Sequence, residues 1–93
     1  MRSHLEVYVE ILSLLVQKGP QKRTHIMQKT NLNSNVLTEN LSFLVKQALV
    51  EVRNIGKVRV VFVATQRGTN VVKFFSEFKT LPIIESAQNK SVL

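Results

Sequence analysis

Ser34, Asn35, Thr38 and Ser42 recur at helical spacing within the stretch TNLNSNVLTENLSFLVKQALVEV, Thr30 to Val52. On a helix they share the side opposite the leucines. Short amides and hydroxyls there can exchange hydrogen bonds at close approach. An Asn can pair bidentately with the edge of an adenine, and Ser or Thr can donate or accept. Val36 adds an apolar surface of the kind that meets a thymine methyl. Bond-making chemistry finds no support. His4 and His25 are the only histidines and there is no cysteine, so disulfides and thiolate metal sites are excluded and no metal-ligand spacing is formed. No nucleophile–base pair, phosphate loop or acid pair stands out either. Neither an enzyme nor a cofactor is expected.

The charge agrees with a polyanion partner. Lys and Arg number 13 against 6 Asp and Glu, a net charge of +7 with a pI near 10.3, and such a surplus favours nucleic acid or an acidic membrane surface. The 93 residues suit one domain with its core over about 4–80 and a partly frayed extension over 81–93. The apolar N-terminal segment is interrupted by Glu6 and Glu10 and lacks a small-residue cleavage site, so it does not read as a signal peptide. No stretch approaches the ~18–20 apolar residues of a membrane span. An intracellular protein without a membrane partner is expected.

The elements that would hold the polar set in place can be read along the chain. His4 to Lys18 has apolar residues at 5, 8, 9, 11, 12, 15 and 16, a helix greasy over most of its circumference, which must be covered on more than one side. Gly19-Pro20 stops it. A short helix starts between Lys22 and Thr24 and places Ile26 and Met27 inward. Asn31 suits the left-handed residue after its end, Leu32 plugs the turn, and Asn33 caps the next helix. In that helix Leu37, Leu41 and Leu44 form the buried row, and Glu39 is expected to sit off the contact face. Two alternating runs around Asn54-Ile55-Gly56-Lys57 make a hairpin. Thr65 caps a last helix with Val71, Val72, Phe74, Phe75 and Phe78 inward.

Together these give an α+β winged helix-turn-helix: three helices, a β-hairpin wing and a C-terminal helix. In such a fold the third helix enters the major groove of duplex DNA. Ser34, Asn35, Val36, Thr38 and Ser42 then read base edges, with Lys22, Arg23, Lys29 and Lys46 on the flanking backbone. Arg53, Lys57 and Arg59 serve a wing that meets the minor groove or phosphates.

RTHIMQKTNLNSNVLTENLSFLVKQALVEV, followed by ATQRG, resembles the MarR/SlyA-like winged-helix regulators. ATQRG looks like the T-x-x-G that opens their last helix. Size, charge and absent cysteine are most similar to the small winged-helix proteins of crenarchaeal spindle-shaped viruses. The resemblance implies a transcription regulator in the cytoplasm of a host cell. It would act as a homodimer on a pseudo-palindromic site, with first and last helices pairing through Leu5, Tyr8, Leu12, Leu15, Phe74, Phe75 and Phe78. One departure is Ala48, which replaces the glycine usual in the turn before the hairpin. Dimers of this kind can hold a small effector beside the dimer helices. Aromatic residues at helical spacing are more often core, so no effector is expected here.

The rival interpretation is a winged-helix interaction or assembly module that does not read DNA. The location of the cations discriminates: clustered on the face of the third helix they favour DNA, scattered they favour a protein partner. Structured RNA is disfavoured because a helix cannot read the narrow major groove of A-form duplexes. Asn40-Leu41-Ser42 and Asn89-Lys90-Ser91 match the glycosylation sequon, which has no meaning inside a cell.

Overall fold

The structure is a computed structural model that describes the backbone of residues 2–80 and the side chains through residue 78. The expected frayed extension over 81–93 lies outside the described residues. Helix α1 (His4–Lys18) opens with a capping box. The Glu6 N–H donates to Ser3 Oγ at 3.1 Å and the Ser3 N–H donates to Glu6 Oε1 at 2.7 Å, which satisfies two otherwise orphaned donors. The Ser3 backbone N–H, and after it the Ser3 side-chain hydroxyl, hold the Glu6 carboxyl below the usual carboxylate range. Gly19 ends the helix at φ +81, its N–H returning to the Leu15 carbonyl.

Strand β1 (Gln21–Lys22) follows, then α2 (Arg23–Thr30), α3 (Ser34–Lys46), β2 (Val50–Ile55), β3 (Arg59–Ala64) and α4 (Gln66–Thr80). The winged helix-turn-helix expected from the sequence is therefore present, with one addition. β1 pairs antiparallel with β3, Gln21 opposite Phe62 and Lys22 opposite Val61, making a three-stranded sheet in the order β1-β3-β2. Two residues show no periodicity, so nothing in the sequence marked this strand.

The core is the meeting of the helical rows. Val7, Ile11, Leu12 and Leu15 of α1 pack with Ile26 of α2, Leu37, Leu41 and Leu44 of α3, and Val50 of β2. Full burial of one such side chain contributes roughly 1.5–3 kcal/mol of transfer free energy. This cluster fixes the angle between α2 and α3. The turn between them follows from Asn31 at φ +57, and from Asn33, whose Oδ1 accepts from the Val36 N–H at 2.9 Å. Both roles match those expected from the sequence.

The turn after α3 solves its backbone problem without glycine. Ala48 sits at φ +61, a conformation that costs an L-residue roughly 1–2 kcal/mol. Its carbonyl accepts from Thr65 Oγ1 at 2.7 Å, and the Leu49 N–H donates to the Leu44 carbonyl at 2.9 Å. The surrounding bonds hold the strained residue. Ala48→Gly should therefore stabilise the protein by about 0.5–1 kcal/mol, because relief of the left-handed strain outweighs the added chain entropy. A urea melt whose midpoint fails to rise would contradict this.

Candidate nucleic-acid interface

Among the described residues of α3, Asn35, Glu39, Ser42 and Lys46 follow one another at i, i+4, i+7 and i+11, and all are exposed. They form the ridge opposite the buried row Leu37, Leu41 and Leu44. Glu39 is exposed in this ridge and also lines the hollow beside Val36 and Asn40 on the α1 side of α3. A carboxylate on the ridge can accept from a cytosine amine.

Ser34 and Thr38 lie at the edge of this ridge, and Arg23 reaches them from the start of α2. Its Nη2 donates to the Ser34 carbonyl at 2.9 Å, to Ser34 Oγ at 2.9 Å and to Thr38 Oγ1 at 2.5 Å. A guanidinium planted on the first turns of α3 fixes α2 against α3 in addition to the leucine packing. It also biases the chemistry of the edge. A hydroxyl oxygen that accepts from Arg23 still has its own O–H to donate, so Ser34 and Thr38 face outward mainly as donors, whereas the Asn35 amide offers both donor and acceptor. Arg23 was expected to contact the DNA backbone, and its bonds to α3 are a second role that only the tertiary structure reveals.

Between α3 and the wing runs a groove of about 430 Å³. Leu41, Val45, Val52 and Phe62 line it together with Arg23, Thr38, Ser42 and Lys46. Two of the expected backbone cations, Arg23 and Lys46, therefore flank one groove beside the reading ridge. Lys22 is exposed in β1 at the N-cap of α2. Lys29 departs from the group: it lines a separate cleft of about 800 Å³ with Leu5, Val9 and Leu14 of α1 and Phe75 and Phe78 of α4.

Val36 also departs from its expected place. It is half-buried and lines a hollow with Val7, Leu32, Glu39 and Asn40 on the α1 side of α3. Asn40 is buried, and its Nδ2 donates to the Val36 carbonyl at 2.7 Å. Its position three residues after Leu37 and four before Leu44 was the signal for burial.

At the wing, Arg53 pairs with Glu51 at 3.1 Å, both side chains more than half exposed. An exposed pair of this kind contributes little stability, but it offsets the Arg53 charge. Lys57 in the turn and Arg59 at the start of β3 have no acidic partner among the described residues.

The residues implied for a dimer interface divide into two groups. Leu12 and Leu15 are 1 % and 2 % exposed and belong to the protomer's own core, which removes them from any interface. The α1 face was wide because it serves α2, α3, β3 and α4 of the same chain. The Tyr8 ring is committed within the protomer, stacked on Phe43 with centroids 4.6 Å apart. Leu5, Phe74 and Phe78 are half or more exposed, and Phe74 and Phe78 stack on one another. Phe75 is half-buried in the cleft.

Solved structures share this arrangement of elements, among them two transcriptional regulators. The PcaV regulator from Streptomyces coelicolor, in complex with its natural ligand, superposes with a TM-score of 0.67 at 18% identity, over 71% of this chain and 48% of that one. The reduced form of YodB from B. subtilis gives 0.66 at 25% identity, over 74% and 70%. RV1404 from Mycobacterium tuberculosis gives 0.78 at 17% identity, over 88% and 57%. The chain thus spans about half of the PcaV length and 70% of the YodB length. No curated protein sequence matches it. The winged helix-turn-helix family model matches residues 1–82, the whole of the fold described above, and the chain belongs to that family.

Proposed function

We propose that the protein is a sequence-specific binder of double-stranded DNA that regulates transcription as a homodimer on a pseudo-palindromic site. The observation that carries this reading is the exposed ridge of α3, with Arg23 and Lys46 bordering the groove beside it. In this reading Asn35 and Ser42 contact base edges, with Ser34 and Thr38 donating from the Arg23-bound edge. Lys22, Arg23 and Lys46 neutralise flanking phosphates, and Lys57 and Arg59 do so from the wing. Such a regulator works inside the cell, where its duplex target lies.

Charge placement supports DNA over a protein-interaction module. No acidic residue occurs from Val52 through Ser76, a span that contains Arg53, Lys57, Arg59, Arg67 and Lys73. A wing with that balance attracts a polyanion such as the phosphate backbone and repels a basic surface. Selection of bound sequences from a random duplex pool tests the proposal directly. Enrichment of two inverted half-sites, spaced for recognition helices about 34–36 Å apart, is the expected result. A pool that emerges unenriched would refute specific reading and leave the interaction module standing.

Two further outcomes follow. Lys57→Ala should weaken all duplexes alike and flatten the plot of log affinity against log salt by about 0.9 per lost phosphate contact; an unaltered slope would place Lys57 away from the backbone. Sedimentation equilibrium at micromolar protein should give a dimer, since Leu5, Phe74 and Phe78 otherwise leave an apolar patch in water. A monomer there would exclude the pairing of α1 and α4.

A further inference from the structure

The wing tip carries apolar surface that contact with phosphate does not use. Val58 is 93 % exposed and Ile55 50 %. A single exposed aliphatic residue is ordinary. Here two flank the same turn, in the order Ile55-Gly56-Lys57-Val58-Arg59, so that apolar and cationic side chains interleave at the far end of the hairpin. Gly56 is at φ +71 and a Cβ built there would meet nothing within 4 Å. Residues 51–60 are all exposed, and among the described residues none stands over the tip.

We propose that Ile55 and Val58 form an apolar wedge that enters the minor groove beside the half-site read by α3. This rests on the DNA-binding reading above. The wedge packs against deoxyribose edges and a base step that opens to admit it, while Lys57 and Arg59 hold the phosphates on either side. Polar readout in the minor groove is degenerate, whereas aliphatic side chains inserted there part a base step and bend the duplex away. Opening costs least at pyrimidine–purine steps such as TA. The wedge therefore adds sequence preference at a position that α3 does not touch.

A basic and apolar tip is also chemically compatible with an anionic lipid surface. Two short aliphatic side chains bury too little area for that, since even one whole acyl chain binds a bilayer only marginally. The exposed polar ridge of α3 beside the wing favours the duplex.

The test compares wild-type protein with the double variant Ile55→Thr/Val58→Ser on the duplex recovered by selection. Both positions are exposed, so the variant keeps its fold, and circular dichroism verifies this. Affinity is measured across a salt series, and bending by energy transfer between dyes at the duplex ends. The expected result is about tenfold weaker binding, a smaller bend, an unchanged salt slope, and loss of preference for a TA step at the wing position. Equal bend and equal affinity would overturn the wedge while leaving DNA binding by α3 intact. Wild-type binding to phosphatidylserine vesicles that the double variant loses, with duplex affinity unaffected, would overturn it in favour of lipid. A wild-type protein that binds no duplex at all fails the DNA-binding reading itself, and the wedge with it.

Discussion

Gly68→Ala should lower the stability of the protein by about 2–3 kcal/mol. In a domain of this size that corresponds to a fall in melting temperature of roughly 10–20 °C. A Cβ at this position would lie 2.2 Å from the Leu49 carbonyl oxygen and 3.1 Å from Leu12 Cδ2. The leucine methyl can yield, but the carbonyl cannot, because it accepts the Thr65 N–H at 3.1 Å. Thr65 is itself fixed: its Oγ1 accepts from the Gly68 N–H at 3.0 Å and donates to the Ala48 carbonyl at 2.7 Å. The first turn of α4, the strained turn at Ala48 and the start of the wing thus form one hydrogen-bonded knot around the missing side chain. Alanine's better helix propensity, roughly 1 kcal/mol over glycine, offsets only part of the clash. Chemical denaturation with an unchanged slope and a lowered midpoint is the expected signature. Gln66→Ala, at an exposed position two residues earlier, should leave the midpoint nearly in place. A Gly68→Ala midpoint equal to wild type would show that α4 can slide away from Leu49 at little cost.

How far that knot was legible in the sequence depends on the residue. Thr65 as a cap and Asn33 as another follow from local rules, because a cap needs only its own side chain and the next turn's N–H. The glycine of ATQRG was visible as a pattern, but its reason is a contact with Leu49, nineteen positions away in sequence, which no local rule can see. The leucine row of α3 was readable because burial repeats with the helical period. Asn40 falls in that same row despite its polar side chain; its amide is satisfied in part by the Val36 carbonyl of its own helix. The α1 face was correctly read as needing several covers. Counting its residues could not apportion them, and Leu12 and Leu15 went to the protomer's own core. Arg23 shows the same limit for the candidate site. Its charge was evident, but its bonds to Ser34 and Thr38 span 11 and 15 residues and exist only once α2 and α3 have packed.

That Arg23 bridge makes Asn35 the cleanest probe of base reading on α3. Changing Ser34 or Thr38 removes a possible DNA contact and also releases Arg23, so a loss of binding would have two causes. Asn35 is exposed, next to Ser34 on the outward ridge, and makes no hydrogen bond that its loss would disturb among those that fix α2 to α3. Asn35→Ala should leave the fold intact and reduce affinity for the selected site by about 1–3 kcal/mol, the worth of one good bidentate base contact, or roughly 5- to 150-fold. The loss should concentrate at one base pair of each half-site. A duplex altered at that pair should bind wild type and variant nearly alike, because the interaction is already absent in both. Affinity for random duplex, which the proposed phosphate contacts of Arg23, Lys46 and the wing would set, should change little, with the salt slope preserved. An equal loss on selected and random DNA would contradict direct readout by Asn35. Recognition would then rest on the shape of the duplex and the charge around α3.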